Sequence, residues 1–506
     1  MITTLLMLLV IALPILILII SFLNKKRNPK TLVPPGPPPL PLIGNLHQFL
    51  TTTKSRHVFL SQLSKKYGPL IHMKLGPIPL LVITSSKLAK EALKTQDLAF
   101  CSRPNFIGPQ KFAYDASDIA LAPYGDHWRE VRKIMSVHLL SLRKIQTFAH
   151  IREDEIARLI GKISELASSQ QAVNVNVSEL AMAHVSTLVC RIAFGKGFGI
   201  SRMGKFDELL HESQALMTAF YVSDYFPWFS WVDKLTGLMD RLDRTFQNLD
   251  SFYRELIVEH LDRDRGRRLM EGKGDILDVL IQIKEENSSS IDFNLDHVKA
   301  LLKNVFLGGT DTSAALIVWI MTALIKAPEA MTKVQAEIRN FIGKNGKVNE
   351  EDLVKLPYLK AVVNETLRLY PPIPMLVPRE TIKRCNLDGY EIEPKTVVYV
   401  NAWAIARDPD NWENPDEFMP ERFLEDNVDI KGQDFRVIPF GSGRRVCPGL
   451  FMGLATVELT VANLLYSFDW KMPRGINAQD IDTDTLPGIT MHKKNPLFLV
   501  PKKYGV

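Results

Sequence analysis

Cysteine is scarce in this sequence, and its spacing does not suggest metal binding by a cysteine cluster. The 506 residues include four cysteines, and none stands in a C-x-x-C pair. We therefore expect neither a disulfide-held fold nor a structural zinc site, and a reducing compartment is favoured. Three of the four, Cys101, Cys190 and Cys385, lie in ordinary surroundings, where a buried apolar role is expected.

Strong charge and strong compositional bias are also missing. The net charge is +6, and four of the positive charges stand close together at Lys25, Lys26, Arg27 and Lys30. A nucleic-acid partner is therefore not expected. The 31 prolines and 28 glycines are too dispersed for a fibrous or low-complexity chain, and a hydrophobic fraction of 46% is enough for a large buried core.

The first 24 residues carry no charged side chain and consist mainly of Leu, Ile, Met and Val. An apolar helix of about 20 residues crosses the hydrocarbon core of a bilayer, and a membrane helix tolerates the proline at position 14. The basic residues follow this segment, whereas a cleaved signal peptide carries them in front. We interpret residues 1–24 as a retained membrane anchor with the rest of the chain in the cytosol; a processed signal peptide is the alternative.

A basic and proline-rich hinge, residues 25–41, follows the anchor. Six of the eight residues from Pro34 to Pro41 are prolines, which favours an extended spacer; a P-x-x-P ligand is the alternative. Residues 42–506 contain no further linker or repeat and are interpreted as one catalytic domain, mainly α with small β-sheets. Two short strands are predicted within 70–84, and helices at 125–140, 147–166, 176–194, 239–264, 295–326, 329–342, 357–369 and 449–467.

The fourth cysteine, Cys447, lies in a glycine-rich loop just before the last predicted helix. The segment from Phe440 to Gly449 reads FGSGRRVCPG. Backbone N–H groups, the helix dipole and the neighbouring arginines favour a thiolate at this position. Gly443 and Gly449 leave room for a flat ligand to approach the backbone. The loop therefore suits a cysteine thiolate that binds a metal.

This segment matches F-x-x-G-x-R-x-C-x-G, the haem-binding loop of the cytochrome P-450 family, at every fixed position. The resemblance extends over the whole chain, the anchor included, and is closest to plant microsomal members that act in specialised metabolism. It implies the single-domain cytochrome P-450 fold with an N-terminal transmembrane helix. It also implies haem (heme b) as cofactor, with Cys447 as the axial ligand of the iron and Phe440, Gly443, Arg445 and Gly449 around it.

A second motif, GGTDTS at 308–313, lies within the predicted helix 295–326. Two adjacent glycines permit a kink, and the Thr312 hydroxyl can bond the carbonyl of Gly308 four residues earlier. The motif resembles the family's A/G-G-x-D/E-T signature for oxygen activation, with Ser313 in place of the commoner second threonine. The resemblance implies that Asp311 and Thr312 are catalytic and supply protons to bound dioxygen.

Further charged residues extend the resemblance. Glu365 and Arg368 lie one turn apart on a predicted helix with apolar surroundings, which favours burial with additional partners. Together with Arg422 of the segment PERF they resemble the family's structural triad. Haem carries two carboxylates, which require cations. The residues that the resemblance places around these carboxylates are Trp128, Arg132, Arg379 and Arg445.

The substrate side is predicted to be apolar. The residues that the resemblance places in the pocket are Ile119, Phe306, Gly308, Ile373, Leu376 and Ile489. Uncharged side chains favour a small hydrophobic molecule over a sugar or nucleotide, and a terpenoid, a phenolic and an amino-acid-derived oxime all remain open. Between Phe220 and Trp231 an aromatic run broken by Pro227 predicts a loop, which in this family borders the substrate entrance and touches the bilayer.

The resemblance implies a membrane-bound monooxygenase that uses dioxygen and electrons from NADPH. The glycine alternation at 195–199 lacks the spacing of a dinucleotide site, so NADPH and flavins would act only through a partner. That partner, the membrane NADPH–cytochrome P-450 reductase, would dock near Arg129, Lys133 and Arg444. The expected location is the endoplasmic reticulum membrane, with one span and a cytosolic catalytic domain. A haem-thiolate isomerase or dehydratase without external electrons and a non-catalytic haem carrier are the alternatives.

Overall fold

The computed structural model describes Leu13 and residues 32–505, without positions 53, 169–172, 198–199, 262–273, 345 and 427 and without the side chains of 200–203 and 207. The predicted anchor, residues 1–24, lies outside the described residues apart from Leu13, and so does the hinge up to residue 31.

Helices make up most of the described residues. In chain order they are α1 (Leu46–Thr51), α2 (Arg56–Tyr67), α3 (Ser86–Lys90), α4 (Asp97–Phe100), α5 (Ile107–Phe112), α6 (Asp126–Lys133), α7 (Leu142–Thr147), α8 (Ala149–Ala167), α9 (Val177–Phe194), α10 (Ile200–Met217), α11 (Val222–Tyr225), α12 (Ser230–Leu235), α13 (Leu238–Leu261), α14 (Ile276–Glu285), α15 (Leu295–Phe306), α16 (Thr312–Lys326), α17 (Pro328–Ile342), α18 (Pro357–Leu369), α19 (Ala402–Ile405), α20 (Arg422–Glu425) and α21 (Leu450–Ser467).

Short strands form small sheets at the side of the helices. They are β1 (Leu70–Leu75), β2 (Ile78–Ile83), β3 (Val175–Asn176), β4 (Arg379–Glu380), β5 (Cys385–Leu387), β6 (Tyr390–Ile392), β7 (Val397–Val400), β8 (Phe468–Lys471) and β9 (Phe498–Lys503). One sheet has the order β1-β2-β7-β4, with β1 and β2 antiparallel and β2 and β7 parallel. The others are β3-β9-β8 and the pair β5-β6.

The predicted helices are all present, with their described ends within about three residues of the predicted ones; the predicted end of the helix 239–264 lies outside the described residues. Two of them contain a turn wider than an α-helical one, at Ile134–Leu139 after α6 and at Leu307–Asp311 between α15 and α16. The two predicted strands are β1 and β2. Gly76, at the turn between them, has a φ of 61°, a left-handed conformation that glycine adopts without a steric penalty.

Three long apolar segments form the centre of the domain. By length and composition α9, the α15–α16 segment and α21 could each cross a membrane, but 61–72% of each is buried inside the domain. Their ends are specified locally: the side chain of Asn176 accepts a hydrogen bond from the backbone of Glu179 and caps α9, and Asn294 caps α15 in the same way. These helices surround the cavity described below.

The described part of the hinge is packed against the domain and is not a free spacer. Pro34 and Pro37 are buried. The carbonyl of Pro35 accepts a hydrogen bond of 2.9 Å from the backbone N–H of His72 in β1. A Cβ atom at Gly36 would overlap the carbonyl oxygen of His72, so this close approach requires glycine.

The aromatic segment Phe220–Trp231 forms short helical turns where a loop was predicted. Helix α11, a 3₁₀ turn and α12 follow one another directly. The buried carboxylate of Asp233 accepts hydrogen bonds from two backbone N–H groups at the start of α11, which holds the segment closed. Tyr221 is fully buried, whereas Trp228 is 88% exposed. The exposed aromatic side chains of this segment are therefore Phe220, Trp228, Phe229 and Trp231, and not the whole run.

Candidate active site

A cavity of about 350 Å³ lies in the middle of the domain. Its volume is within the range of small-molecule sites, and most of its lining is apolar. Cys447 and Thr312 both line it, so the two motifs that are 135 residues apart in the chain meet at one site. Five predicted pocket residues also line it: Ile119, Gly308, Ile373, Leu376 and Ile489.

The sixth predicted pocket residue, Phe306, does not line this cavity. Its side chain is fully buried, with its ring stacked on Phe194 at 5.1 Å and edge-on to Phe206 at 4.9 Å between ring centroids. The residues before and after it, Val305 and Leu307, line the cavity instead. Successive residues of a helix point in directions about 100° apart, so the neighbours of a buried core residue face another way.

Cys447 lies directly before α21, and its surroundings act on the thiol in opposite directions. Burial raises the pKa of the Cys447 thiol above its ordinary value. The backbone N–H groups of Gly449 and Leu450 and the charge of Arg132 lower it, although they do not fully offset burial. The backbone donors that the sequence predicts are therefore in place around the sulfur, whereas the cation that acts on the thiol is Arg132 and not one of the loop arginines, Arg444 and Arg445. Metal coordination would deprotonate the thiol outright.

Gly443 is needed for packing and not for the approach of a ligand. It has a φ of 69°, and a Cβ atom there would overlap the carbonyl oxygen of Leu93 and crowd the Asp97 carboxylate. Asp97 accepts a hydrogen bond of 3.1 Å from the backbone N–H of Arg444. It also accepts one of 3.2 Å from Arg379. The cysteine loop is thus held against α4 by a buried carboxylate.

Four arginines line the cavity and carry more positive charge than nearby carboxylates offset. Arg379 bonds Asp97, whereas the other three donate to backbone carbonyls. Arg132 donates to Val446 at 2.7 Å, and Arg445 donates to Cys101 and Ala122 at 2.8 and 2.7 Å. The four are Arg103, Arg132, Arg379 and Arg445.

This charge imbalance fits a ligand with acidic groups. Burial lowers the pKa of all four arginines, and for Arg445 burial and the repulsion of Arg379 lower it to about 9. An anionic group in the cavity would offset both effects. The two carboxylates of haem, with the Cys447 thiol facing the same cavity, match this donor set. Trp128, the remaining predicted residue, donates its indole N–H to the Ile119 carbonyl at 2.9 Å and lies 4.2 Å from the Arg445 guanidinium.

The oxygen-activation motif occupies the wide turn between α15 and α16. The Thr312 hydroxyl donates to the carbonyl of Gly308 at 2.7 Å, the bond that the sequence spacing predicts. Asp311 is buried, and its Oδ1 lies 2.7 Å from Nε2 of His492. Burial raises the pKa of the Asp311 carboxyl, but His492, Thr490 and Gln214 together bring it below its ordinary value. The carboxyl is therefore ionised at neutral pH.

The predicted structural triad is assembled in the interior. Glu365 and Arg368 are both fully buried and joined by two hydrogen bonds of 2.7 and 2.8 Å. Arg422 lies 3.3 Å from the same carboxylate. The further partners that burial requires are the carbonyls of Ala406, Pro415 and Glu417, which accept from Arg368 at 2.8, 2.7 and 3.0 Å. The cluster ties α18 to the segment before α20.

Sequence reasoning missed three residues of this site. Arg103 lines the cavity and donates to Ala120, Val377 and Pro378, and Asp97 holds the cysteine loop. His492 bonds Asp311. No local pattern marks an isolated arginine, aspartate or histidine, and their partners are 17 to 347 residues away in the chain.

The fold and the site together define a haem-thiolate protein: a helical domain with one cysteine and four arginines facing an apolar cavity. The comparisons with known proteins agree. The cytochrome P-450 family model matches residues 34–500. The chain belongs to the cytochrome P-450 family.

Curated relatives are similar over nearly their whole length. The 6,7,8-trihydroxycoumarin synthase of Pastinaca sativa is 48% identical, and the 5-OH-xanthotoxin synthase of Ammi majus is 47% identical, each with 98% of both chains covered. Strychnine-11-hydroxylase of Strychnos nux-vomica is 46% identical, with 95% of this chain and 94% of that protein covered.

A solved structure of a zebra fish cytochrome P-450 with abiraterone has the same fold. The TM-score is 0.75 at 24% identity, with 89% of this chain and 99% of that chain covered. The predicted cytochrome P-450 fold, mainly α with small β-sheets, is confirmed. The chain is accordingly an oxidoreductase, a haem-thiolate monooxygenase that acts on a hydrophobic substrate with dioxygen and takes its electrons from a redox partner.

Proposed function

We propose that this monooxygenase hydroxylates or otherwise oxidises a small hydrophobic plant metabolite, and that the substrate is a planar phenolic of the coumarin type. The single observation that carries the proposal is the cavity, in which a thiol, four arginines and the Thr312 hydroxyl meet an apolar wall. Two relatives named for coumarin and xanthotoxin products support the phenolic class over a terpenoid or an oxime.

The substrate class is tested with microsomes that contain the full chain and a plant reductase. The panel consists of simple coumarins with and without a hydroxyl group, a monoterpene, an aldoxime and an indole alkaloid. We expect NADPH-dependent hydroxylation of at least one coumarin and little turnover of the terpene and the oxime. Turnover confined to the terpene, the oxime or the alkaloid would contradict the phenolic assignment.

The chain's residues divide the chemistry between two sides of the cavity. Bound haem supplies the iron at which dioxygen is activated. Cys447 would hold the iron, and the guanidinium groups of Arg132, Arg379 and Arg445 would hold the two carboxylates. Thr312 and Asp311 move protons: the Thr312 hydroxyl is at the cavity wall, and the buried Asp311 carboxylate first accepts a proton from the solvent side and then passes it on towards that hydroxyl.

We predict that Thr312→Ala uncouples electron use from product formation. Substrate and haem binding should be retained, because the hydroxyl bonds only the backbone carbonyl of Gly308 among the described groups. A positioned acid–base group contributes about 10²–10⁴-fold, and since water partly replaces it we expect about a tenfold loss of product per NADPH. The measurement is product and hydrogen peroxide formed per NADPH consumed.

A matched control lies ten residues further along the same helix. The Thr322 hydroxyl also bonds the carbonyl four residues earlier, that of Val318, at 2.7 Å, but it is fully buried and not part of the cavity lining. Thr322→Ala should form as much product per NADPH as the wild-type protein. If Thr312→Ala also leaves the product formed per NADPH unchanged, the wide turn serves packing alone. Turnover that does not depend on NADPH would favour the isomerase alternative.

The redox partner and the location extend the same proposal. A membrane NADPH–cytochrome P-450 reductase would contact the side chains of Arg129, Lys133 and Arg444, which are 57%, 58% and 46% exposed. Each of the three side chains lies within ion-pair distance of a carboxylate of this chain. An acidic surface of the reductase would therefore have to compete with these carboxylates for the three cations. The proposed location is the endoplasmic reticulum membrane, with the catalytic domain in the cytosol.

We predict that deleting residues 1–24 releases much of the chain from membranes while haem binding is retained. The physical reason is that this apolar segment would supply the bilayer contact, whereas the described lining of the cavity comes from residues 103–490. Sedimentation after alkaline washing and the haem content of the soluble fraction check the result. Complete loss of haem in the truncated chain would contradict the anchor assignment.

A further inference from the structure

The segment Ile489–His492 connects the cavity to the surface of the domain. Ile489 and Thr490 line the cavity. The backbone of Met491 is fixed on both sides, because its N–H donates to the carbonyl of Pro372 and its carbonyl accepts the indole N–H of Trp319, each at 2.7 Å. The next residue, His492, is therefore held in a defined position relative to α16.

His492 reaches the acid of the oxygen-activation motif from outside. Its Nε2 lies 2.7 Å from Oδ1 of Asp311. The Asp311 side chain is 6% exposed, whereas that of His492 is 23% exposed. The histidine is thus the member of the pair that solvent reaches, and the carboxylate is the member that is shielded from it.

The inner side of Asp311 adjoins a second, very small cavity. Its volume of about 10 Å³ is close to the room that one water molecule needs. Asp311 and Gln214 line it together with Thr310, whose buried hydroxyl has no hydrogen-bond partner among the described residues. Gln214 also lines the large cavity. A polar connection therefore runs from His492 through Asp311 to the edge of the active site.

We propose that His492 is a positioning residue of the proton relay, which fixes the Asp311 carboxylate and links it to solvent. The inference rests on the proposed function, in which Asp311 and Thr312 deliver protons. The ring accepts a proton from water on its exposed side for each proton that it passes to Oδ1, so it is not consumed and no electrons move. Without it, Asp311 would lose the described contact through which solvent can reprotonate it.

The test compares His492→Leu, which removes the hydrogen bond, with His492→Gln, which can still donate one. We expect product per NADPH to fall about tenfold in the leucine variant, the factor that corresponds to one hydrogen bond to a charged group. It should recover only in part in the glutamine variant, which restores the hydrogen bond to Asp311 but cannot carry a proton. Substrate affinity from the binding difference spectrum should stay within about twofold of wild type, which separates this role from a displacement of Ile489.

A double variant shows whether His492 acts through Asp311. His492→Leu combined with Asp311→Asn should give no lower ratio of product to NADPH than Asp311→Asn alone. Thermal unfolding of the same four proteins supplies a readout that does not depend on activity, and non-additive shifts in Tm are expected for side chains in contact. His150→Phe is the control, since that exposed ring contacts the Thr147 carbonyl, far from Asp311 in the chain.

The outcomes separate the two proposals. If Thr312→Ala uncouples the enzyme but His492→Leu stays within about twofold of wild type, or if its effect adds fully to that of Asp311→Asn, the inference about His492 is wrong and the proposed function stands. If Thr312→Ala does not uncouple either, the proposed relay itself is wrong. His492→Ala replaces the leucine variant if that protein does not accumulate with haem.

Discussion

Cys447→Ser is expected to abolish the reduced carbon monoxide spectrum of a thiolate-ligated haem, together with all NADPH-dependent product formation. Among the described cysteines Cys447 is the one that lines the cavity, and the backbone N–H groups of Gly449 and Leu450 act on its sulfur. A serine hydroxyl at the same position remains protonated at neutral pH and is a poor donor to iron, so the electron density that favours cleavage of dioxygen is lost. Difference spectra of microsomes measure the effect.

The control for this prediction is Cys385→Ser. Cys385 is half-buried in β5 and is not part of the cavity lining, so its replacement should leave the spectrum unchanged. Survival of the thiolate spectrum in Cys447→Ser would show that another group binds the iron. Loss of the spectrum in both variants would indicate general misfolding, and unfolding curves of the two proteins would then distinguish the cases.

Arg368→Met is expected to lower the free energy of unfolding by about 3–5 kcal/mol, the cost of breaking a fully buried ion pair. The substitution leaves Glu365 buried with Arg422 as its remaining cation at 3.3 Å. It also removes the donor to three backbone carbonyls between α19 and α20. We expect this loss to reduce the amount of haem-containing protein severely, because the cluster joins α18 to the chain that leads to the cysteine loop.

Chemical denaturation, followed by fluorescence and by haem absorbance, measures the effect of Arg368→Met. The control is Arg158→Met: this residue of α8 is 66% exposed and forms ion pairs with Asp154 and Glu155. Exposed pairs contribute about 0–1 kcal/mol, so the control should be nearly neutral. Equal losses of unfolding free energy in Arg368→Met and Arg158→Met would mean that burial does not determine how much the triad contributes to stability.

The sequence alone was sufficient for most of the secondary structure. Helical periodicity places α9, α17, α18 and α21 to within about three residues. The reason is that each of these helices is long and apolar on the side that packs, so the local pattern and the tertiary contacts favour the same conformation. The aromatic segment is the exception: its helical turns depend on Asp233, which accepts from backbone N–H groups about ten residues earlier.

The family, the cofactor and the motif residues followed from the sequence because they are carried by short patterns, the FGSGRRVCPG loop and the GGTDTS turn. The contacts that complete the site could not be predicted from the sequence. Whether Phe306 or its neighbour faces the cavity depends on the rotation of α15, and a difference of one residue turns a side chain by about 100°.

Only the tertiary structure brings Asp97 to Gly443 and His492 to Asp311, over separations of 346 and 181 residues. A single sequence shows which residues are present but not which distant residues meet. These pairs form because the packing of distant segments removes both partners from water. Each is then the best hydrogen-bond or charge partner available to the other.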